Sequence, residues 1–249
     1  MLVRRYTDYD PFAWLYQQHW GREYHAQAYP VLQRLLLDRL PACASILDLC
    51  CGDGRLTLEL ANQGYRMMGV DGSEKMLRFA RKRAPEIPFA IGDARSFRVR
   101  RRFEAVIATF DALNHIMSTT ELRQVCASVW RALKAGGYFA FDLNREEAYT
   151  DLWSNISSAI EEDNVSIARG AYDAQSGYAI CDITLFRLNR GGWRRSDFRL
   201  TQKYHSDGEV FEALSFAGFR RIEARDAARD LGMRGNIGQG RTYYLAQRD

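Results

Sequence analysis

The chain has 249 residues, of which 47% are hydrophobic, 27% charged and 12% aromatic, with 5 prolines. These proportions exclude a disordered, collagen-like or low-complexity protein, and they allow one large α/β domain or such a domain with an inserted subdomain. The 35 basic and 31 acidic residues leave a net charge of +4, too small to demand a nucleic-acid partner.

The opening residues Met1-Leu2-Val3-Arg4-Arg5 carry no apolar core of a secretory signal. No apolar run approaches the about 18 residues of a membrane span. Cys43, Cys50, Cys51, Cys126 and Cys181 are odd in number and include no CxxC. That usage fits reduced thiols in a cytoplasmic protein better than a disulfide framework or a zinc knuckle.

In chain order, residues 1–40 read as helical and aromatic-rich, with Leu32, Leu35, Leu36 and Leu40 at helical spacing and Pro41 as the stop. Ser45 to Leu49 is a short apolar run ending in a glycine turn, as a buried strand does. Leu56 to Gln63 then reads as a helix and Tyr65 to Val70 as a second strand. Ser73 suits an N-cap, while Arg81, Lys82 and Arg83 match the dipole at the end of that helix. Pro88–Ile91 and Phe103–Ala108 are the third and fourth strands. Glu121 to Leu133 is a helix, and Gly136-Gly137 turns the chain into a fifth strand, Tyr138–Phe141. Such alternation predicts a parallel sheet covered on both faces.

Residues 155–204 break the rhythm. Val165–Tyr172, Tyr178–Leu188 and Trp193–Lys203 alternate as strands, with turn residues between them, and predict an inserted three-stranded antiparallel meander. A helix from Gly208 to Ala217 and strands Phe219–Ala224 and Arg241–Ala246 resume the first pattern. Residues 1–154 and 205–249 are therefore expected to form one domain with an N-terminal helical cap. The insertion is expected to serve as a substrate lid or dimer contact, in a monomer or homodimer.

The chemistry concentrates at strand ends. In Asp48-Leu49-Cys50-Cys51-Gly52-Asp53-Gly54 a strand ends on an acid and a glycine turn opens a helix, where a ligand can approach backbone N–H groups. Gly52-x-Gly54 alone is a weak signal. Asp71 ends the second strand, where a carboxylate can accept both hydroxyls of a ribose. Asp93 follows the third, within reach of an exocyclic adenine amine. Thr57 stands where a dinucleotide fingerprint has its third glycine, and a pyrophosphate would lie unfavourably close to Asp48. A cationic nucleoside suits three acids better. S-adenosylmethionine, with a sulfonium and an ammonium, is such a ligand.

These segments, with Gly69-Val70-Asp71-Gly72-Ser73, Gly92-Asp93-Ala94-Arg95 and Ala135-Gly136-Gly137-Tyr138, resemble the class I S-adenosylmethionine-dependent methyltransferases. Phe110-Asp111-Ala112-Leu113-Asn114-His115, Phe141-Asp142-Leu143-Asn144 and Leu214-Ser215-Phe216-Ala217-Gly218-Phe219 resemble the small-molecule branch that carries a β insertion, near the glycine, sarcosine and sugar-amine N-methyltransferases. The resemblance implies a Rossmann-like, mostly parallel seven-stranded sheet with helices on both faces. It implies Asp48 near the methionine ammonium, Gly52 against the cofactor, Asp71 at the ribose, and Asp93 with Ala94 at the adenine. Thr109 and Phe110 would flank the methionine tail, with Cys50, Gly72 and Met76 completing the wall. Cys50 departs from the glycine common in the family.

In-line methyl transfer needs an aligned, desolvated acceptor, and an amine needs only to be neutral. His115 is the acid/base candidate; the alternative is a helix-start histidine bonded to backbone. Asn114 is placed to hold substrate or to cap the next segment. Tyr6, Tyr9 and Tyr16 are placed to close over a sulfonium, or simply to pack. His19, His25 and His205 read as surface or hydrogen-bonded residues, and no metal ligand set is evident. The arginine-rich stretches 98–102 and 190–195 suggest solvated loops or strand edges or, alternatively, contacts to RNA or an anionic substrate. Gly232, Gly235, Gly238 and Gly240 read as a mobile connector near the active-site mouth. The reading is thus a methyltransferase acting on a nitrogen or oxygen of a small molecule. The alternatives are an RNA- or protein-modifying methyltransferase, or a catalytically silent cofactor-binding regulator.

Overall fold

The computed structural model describes residues 9–249; Tyr6, one of the three tyrosines expected over the sulfonium, lies outside them. The chain enters through helix α1 (Tyr9–Leu15), a π-helical turn over Tyr16–Trp20, and α2 (Gly21–Leu35). Tyr24, Ala28, Val31, Leu32 and Leu35 recur at helical spacing on α2, and all five are buried.

The α/β core follows as β1 (Ser45–Leu49), α3 (Arg55–Asn62), β2 (Arg66–Asp71), α4 (Glu74–Arg83), β3 (Phe89–Ile91), β4 (Phe103–Ala108), α5 (Thr119–Ala132) and β5 (Leu133–Asn144). After a short helix α6 (Glu146–Ala148) come four antiparallel strands, β6 (Ile156–Ile160), β7 (Asn164–Asp173), β8 (Tyr178–Asn189) and β9 (Gly192–Lys203). The chain ends with α7 (Asp207–Ala217), β10 (Phe219–Asp226) and β11 (Arg241–Arg248).

Seven strands form one sheet in the order β10-β11-β5-β4-β1-β2-β3, with β11 antiparallel to both neighbours. Every residue of β1 is buried, as a central strand covered on both faces requires. On β4, Val106 and Ala108 face the cluster built with α5 and α7, while Ala105 and Ile107 face the cluster built with α2 and α3. From β1 the chain runs outward through β2, whereas β4 lies on β1's other side. The carboxyl ends of β1 and β4 therefore flank a topological switch point, where such sheets open a ligand crevice.

The second sheet, β6-β7-β8-β9, buries alternate residues Cys181, Ile183 and Leu185 of β8 against Phe12 and Leu15 of α1. Helix α1 is thereby clamped between the insertion and Met76 of α4. Asp10 Oδ1 also accepts from Ser73 Oγ at 2.5 Å and from the Lys75 N–H at 3.2 Å, tying α1 to the start of α4.

Three local expectations need correction. The meander has a fourth strand, β6, whose Ile-Ser-Ser-Ala-Ile sequence is almost wholly exposed at the sheet edge and so lacks a buried period. Gly136-Gly137 does not separate a helix from the fifth strand. It forms a bulge within β5, where the pairing slips between Phe103 and Ala105 and Gly136 takes φ +74°. The glycine-containing connector is anchored, because Ala227, Leu231 and Met233 are buried in the cluster beneath α2. Among the described residues no helix is long and apolar enough to cross a membrane.

Candidate active site

The turn after β1 reverses through Cys50 (φ +61°) and Gly52 (φ +55°). A side chain at Gly52 would point at the Tyr16 ring, 3.7 Å from its Cβ, across the space between the turn and the N-terminal cap. The Gly52 N–H donates to Asp71 Oδ2 and the Ser73 N–H to Asp71 Oδ1, both at 2.8 Å. Each carboxylate oxygen is thus oriented by one backbone donor and keeps a lone pair for a ligand. Burial pushes Asp71 up to about 6, while the N–H groups of Ser73, Gly52 and Gly72 hold it from rising further.

A cavity of about 220 Å³ opens there, lined by Cys50, Gly52, Asp71, Gly72, Met76, Asp93, Ala94, Thr109 and Phe110 on the sheet side. Tyr9, Tyr16, His115 and Thr201 face them. Of the residues expected at the cofactor, Asp48 alone lies behind this wall. It is 2% exposed, accepts from Thr57 Oγ1 at 2.5 Å, and is pushed up to about 7 by burial. Asp93 is steadied by Arg95, which donates to both carboxylate oxygens and reaches on to Glu121. Burial, then the neighbouring Asp71 and Asp48, raise the Cys50 thiol well above its usual range, so it stays protonated.

The residues present fit S-adenosylmethionine. An open backbone at Gly52, an oriented carboxylate at Asp71, Asp93 beside Ala94 and the aromatic faces of Tyr16 and Phe110 surround one space of suitable chemistry.

A second cavity of about 280 Å³ shares Tyr9, Tyr16, Phe110 and Leu200 with the first. Phe12, Trp20 and Trp153 give it aromatic walls, and Asp111, Asn144, Gln202 and Arg241 give it polar ones. The partition between the two is a strained segment, with Phe110 at φ +62° and Asp111 at φ +49°. Asp142 on β5 holds it, accepting the Phe110 N–H at 2.7 Å and the Asp111 N–H at 2.9 Å. Arg241 on β11 pairs with Asp142 and, at 2.9 Å, with Asp111. Burial pulls the guanidinium down, but Asp142 and Asp111 outweigh it and keep Arg241 charged. Tyr24 stacks on Phe110 with ring centroids 4.2 Å apart and donates to Asp142 at 3.0 Å.

His115 stands at the edge of this partition. Its Nδ1 lies 2.9 Å from the Thr201 carbonyl, and its Nε2 lies 2.5 Å from Tyr9 Oη and 3.1 Å from Gln202 Nε2. A carbonyl only accepts, so Nδ1 carries the proton and Nε2 offers a lone pair. Burial lowers the His115 pKa, which keeps the ring neutral. Asn114, expected at the substrate or as a cap, does neither. It is fully buried, donates to the carbonyls of Lys203 and Asn144, and accepts the Asn144 N–H. Its role is to join the insertion to β5. His19, His25 and His205 contact Asn164 Oδ1, Tyr16 Oη and the Ile116 carbonyl respectively.

The reading of single residues left Asp111, Asp142, Gln202 and Arg241 without roles. The first two stand inside the quoted motifs, and the signal available was an acid at the end of each of two further strands.

Residues 46–137 match a family model described as a methyltransferase domain. The chain is 29% identical to the dTDP-3-amino-3,4,6-trideoxy-alpha-D-glucopyranose N,N-dimethyltransferase of Streptomyces venezuelae, over 80% of this chain and 85% of that protein. The crystal structure of DesVI from the same species superposes with a TM-score of 0.76 at 25% identity, covering 97% of both chains. This chain is an S-adenosylmethionine-dependent methyltransferase. A S-adenosylmethionine-dependent methyltransferase from Clostridium acetobutylicum shares the fold of this methyltransferase, with a TM-score of 0.79 at 19% identity over 96% of this chain and 98% of that one.

The arginine-rich stretches of this methyltransferase do not converge on its crevice. Residues 98–102 precede β4, at the edge of the sheet opposite its carboxyl ends. Residues 190–195 lie at and beside the β8–β9 turn, about 17 Å or more along β9 from Leu200 and Gln202, which face the cavities.

Proposed function

We propose that this methyltransferase methylates a nitrogen of a small molecule held in the second cavity. The observation that carries the reading is the Tyr9–His115 pair: Tyr9 lines both cavities, and a neutral imidazole waits behind its hydroxyl. The relative from Streptomyces venezuelae, named for N,N-dimethylation of an amino sugar nucleotide, supports a nitrogen acceptor. The remoteness of both arginine-rich stretches disfavours RNA or protein as substrate, and unpaired thiols suit the cytoplasm.

The sulfonium, when bound, supplies an electrophilic methyl group whose bond to sulfur breaks with the electron pair left on sulfur. Asp71, Asp93 and the Gly52 backbone hold the nucleoside end, and Tyr16 and Phe110 exclude water from the partition. Phe12, Trp20 and Trp153 pack the acceptor so that its nitrogen lies toward Tyr9, which lines both cavities. As the N–C bond forms, the nitrogen releases a proton to Tyr9 Oη, whose own proton passes to His115 Nε2. The Thr201 carbonyl keeps the Nδ1 proton, and Asp111 favours the imidazolium that results.

The test is a panel of small amines and hydroxyl compounds, with RNA and protein extracts, incubated with methyl-labelled S-adenosylmethionine and read by mass spectrometry. N-methylated products that fall away in His115→Ala are expected. Label only on oxygen, RNA or protein would overturn the reading.

A further inference from the structure

We propose that Gln202 is the positioning residue that holds His115 as a proton acceptor and couples it to Asp111 in the acceptor cavity. The inference rests on the proton route through Tyr9 and His115.

Gln202 is 1% exposed and projects from β9 of the insertion, outside the matched methyltransferase domain. Its amide orientation follows from its neighbours. The Asp111 carboxylate accepts from Nε2 at 2.6 Å, and the His115 Nε2 lone pair faces the same NH2 at 3.1 Å. Oε1 accepts from Tyr149 Oη at 2.9 Å and from Asn144 Nδ2 at 3.4 Å. Turning the amide over would set its oxygen against a carboxylate and a ring lone pair. The contacts with Asp111, His115 and Asn144 oppose that, while the Tyr149 hydroxyl can accept or donate.

One strand therefore grips both nitrogens of the imidazole, Thr201 through its carbonyl at Nδ1 and Gln202 through its amide at Nε2. This selects the tautomer whose lone pair points at Tyr9. When Nε2 takes a proton it becomes a donor, and the Gln202 NH2 loses that partner. Asp111 Oδ2 already accepts from the same NH2, so the released amide falls wholly to the carboxylate. The charge state of His115 is thereby felt at a residue that lines the acceptor cavity. A merely space-filling residue would need neither the amide nor its orientation.

The ionisable groups around His115 are Tyr9 on α1, Asp111 on its own segment, Arg199 on β9 and Tyr149 after α6. Asp142 on β5 and Arg241 on β11 stand behind Asp111.

Gln202→Leu removes both amide arms, and Gln202→Glu keeps the oxygen for Tyr149 while setting a carboxylate beside Nε2. In the full chain, Gln202→Leu is expected to lower kcat about tenfold or more, with the KM for S-adenosylmethionine unchanged. Gln202→Glu is expected to move the acidic limb of the kcat profile upward by about one pH unit, since a nearby carboxylate favours the imidazolium. An NMR titration of the His115 ring, which needs no acceptor, should show the same upward shift. It decides the matter alone if the leucine variant fails to fold. Wild-type titration and wild-type limb in Gln202→Glu would overturn the inference while a crippled His115→Ala leaves the proton route standing. An unaffected His115→Ala would instead remove the route itself.

Discussion

The Tyr9 hydroxyl lies 2.5 Å from His115 Nε2, across 106 positions of sequence. The first residue of α1 thus meets the 3₁₀ turn that follows β4, and the two rings pack edge to face at 4.9 Å. Burial, reinforced by Asp111, raises the Tyr9 hydroxyl well above its ordinary value, so it remains a donor to the neutral imidazole. The contact closes the N-terminal cap over the sheet edge and joins the two cavities at one polar point.

Removing that point should cost rate rather than cofactor binding. Tyr9→Phe keeps the ring against Phe12 and His115 and loses only the hydroxyl. Its kcat should fall about tenfold to a hundredfold, and that of His115→Ala by about a hundredfold or more, with little change in KM for S-adenosylmethionine. Initial rates at saturating cofactor measure both.

Affinity for S-adenosylhomocysteine should depend on pH through Asp71. Two ribose hydroxyls need the ionised carboxylate, and Asp71 is held near 6. Binding therefore releases a proton at acidic pH, and affinity rises from pH 5 to 7 before levelling off. Asp71→Asn should weaken binding about tenfold to a hundredfold and abolish the slope, as calorimetry across this range will show.

Asp48 should make the empty protein less stable as pH rises. Its folded pKa of about 7 exceeds the ordinary value of 3.8, so between those limits the folded state binds more protons than the unfolded one. The stabilising contribution is full below the lower limit and is lost as pH climbs through the upper. Asp48→Asn keeps an acceptor for Thr57 and carries no buried charge. Urea denaturation should find it more stable than wild type at pH 8, by about 1 kcal/mol or more, and equal to it near pH 4.

Arg241→Met should be among the most destabilising single changes. It leaves Asp142 fully buried without its cation and frees Asp111 from its pairing. A loss of about 3–5 kcal/mol is expected in urea unfolding. The double variant Arg241→Met with Asp142→Asn should recover a good part of that loss, because the uncompensated charge is gone.

The alternation of strands and helices was legible in the sequence because it is local. Burial on both faces writes apolar runs into β1 and β4, and Ser73 caps α4 through its own hydroxyl three residues on. Asp71 and Asp93 were legible for the same reason. A strand end followed by a turn puts an acid at one edge of a parallel sheet whatever else the chain does. Edge strand β6 was not legible, since a strand exposed on nearly every residue has no period to read. Nor was the bulge at Gly136, where the register with β4 decides that the chain continues as strand.

Chain order and residue type alone pointed to the architecture, to the cofactor, and to Asp71 and Asp93 at the crevice, though not to the burial of Asp48 behind it. Only the tertiary structure decided which polar groups share a proton. Asn114 and His115 are adjacent in sequence, yet one is sealed between β5 and β9 while the other opens onto the cofactor cavity. Gln202 meets His115 from 87 residues away, and Asp111 meets Arg241 from 130. A buried polar side chain takes its role from the partners that satisfy it, and here the insertion and the last strand supply those partners long after the motif has ended.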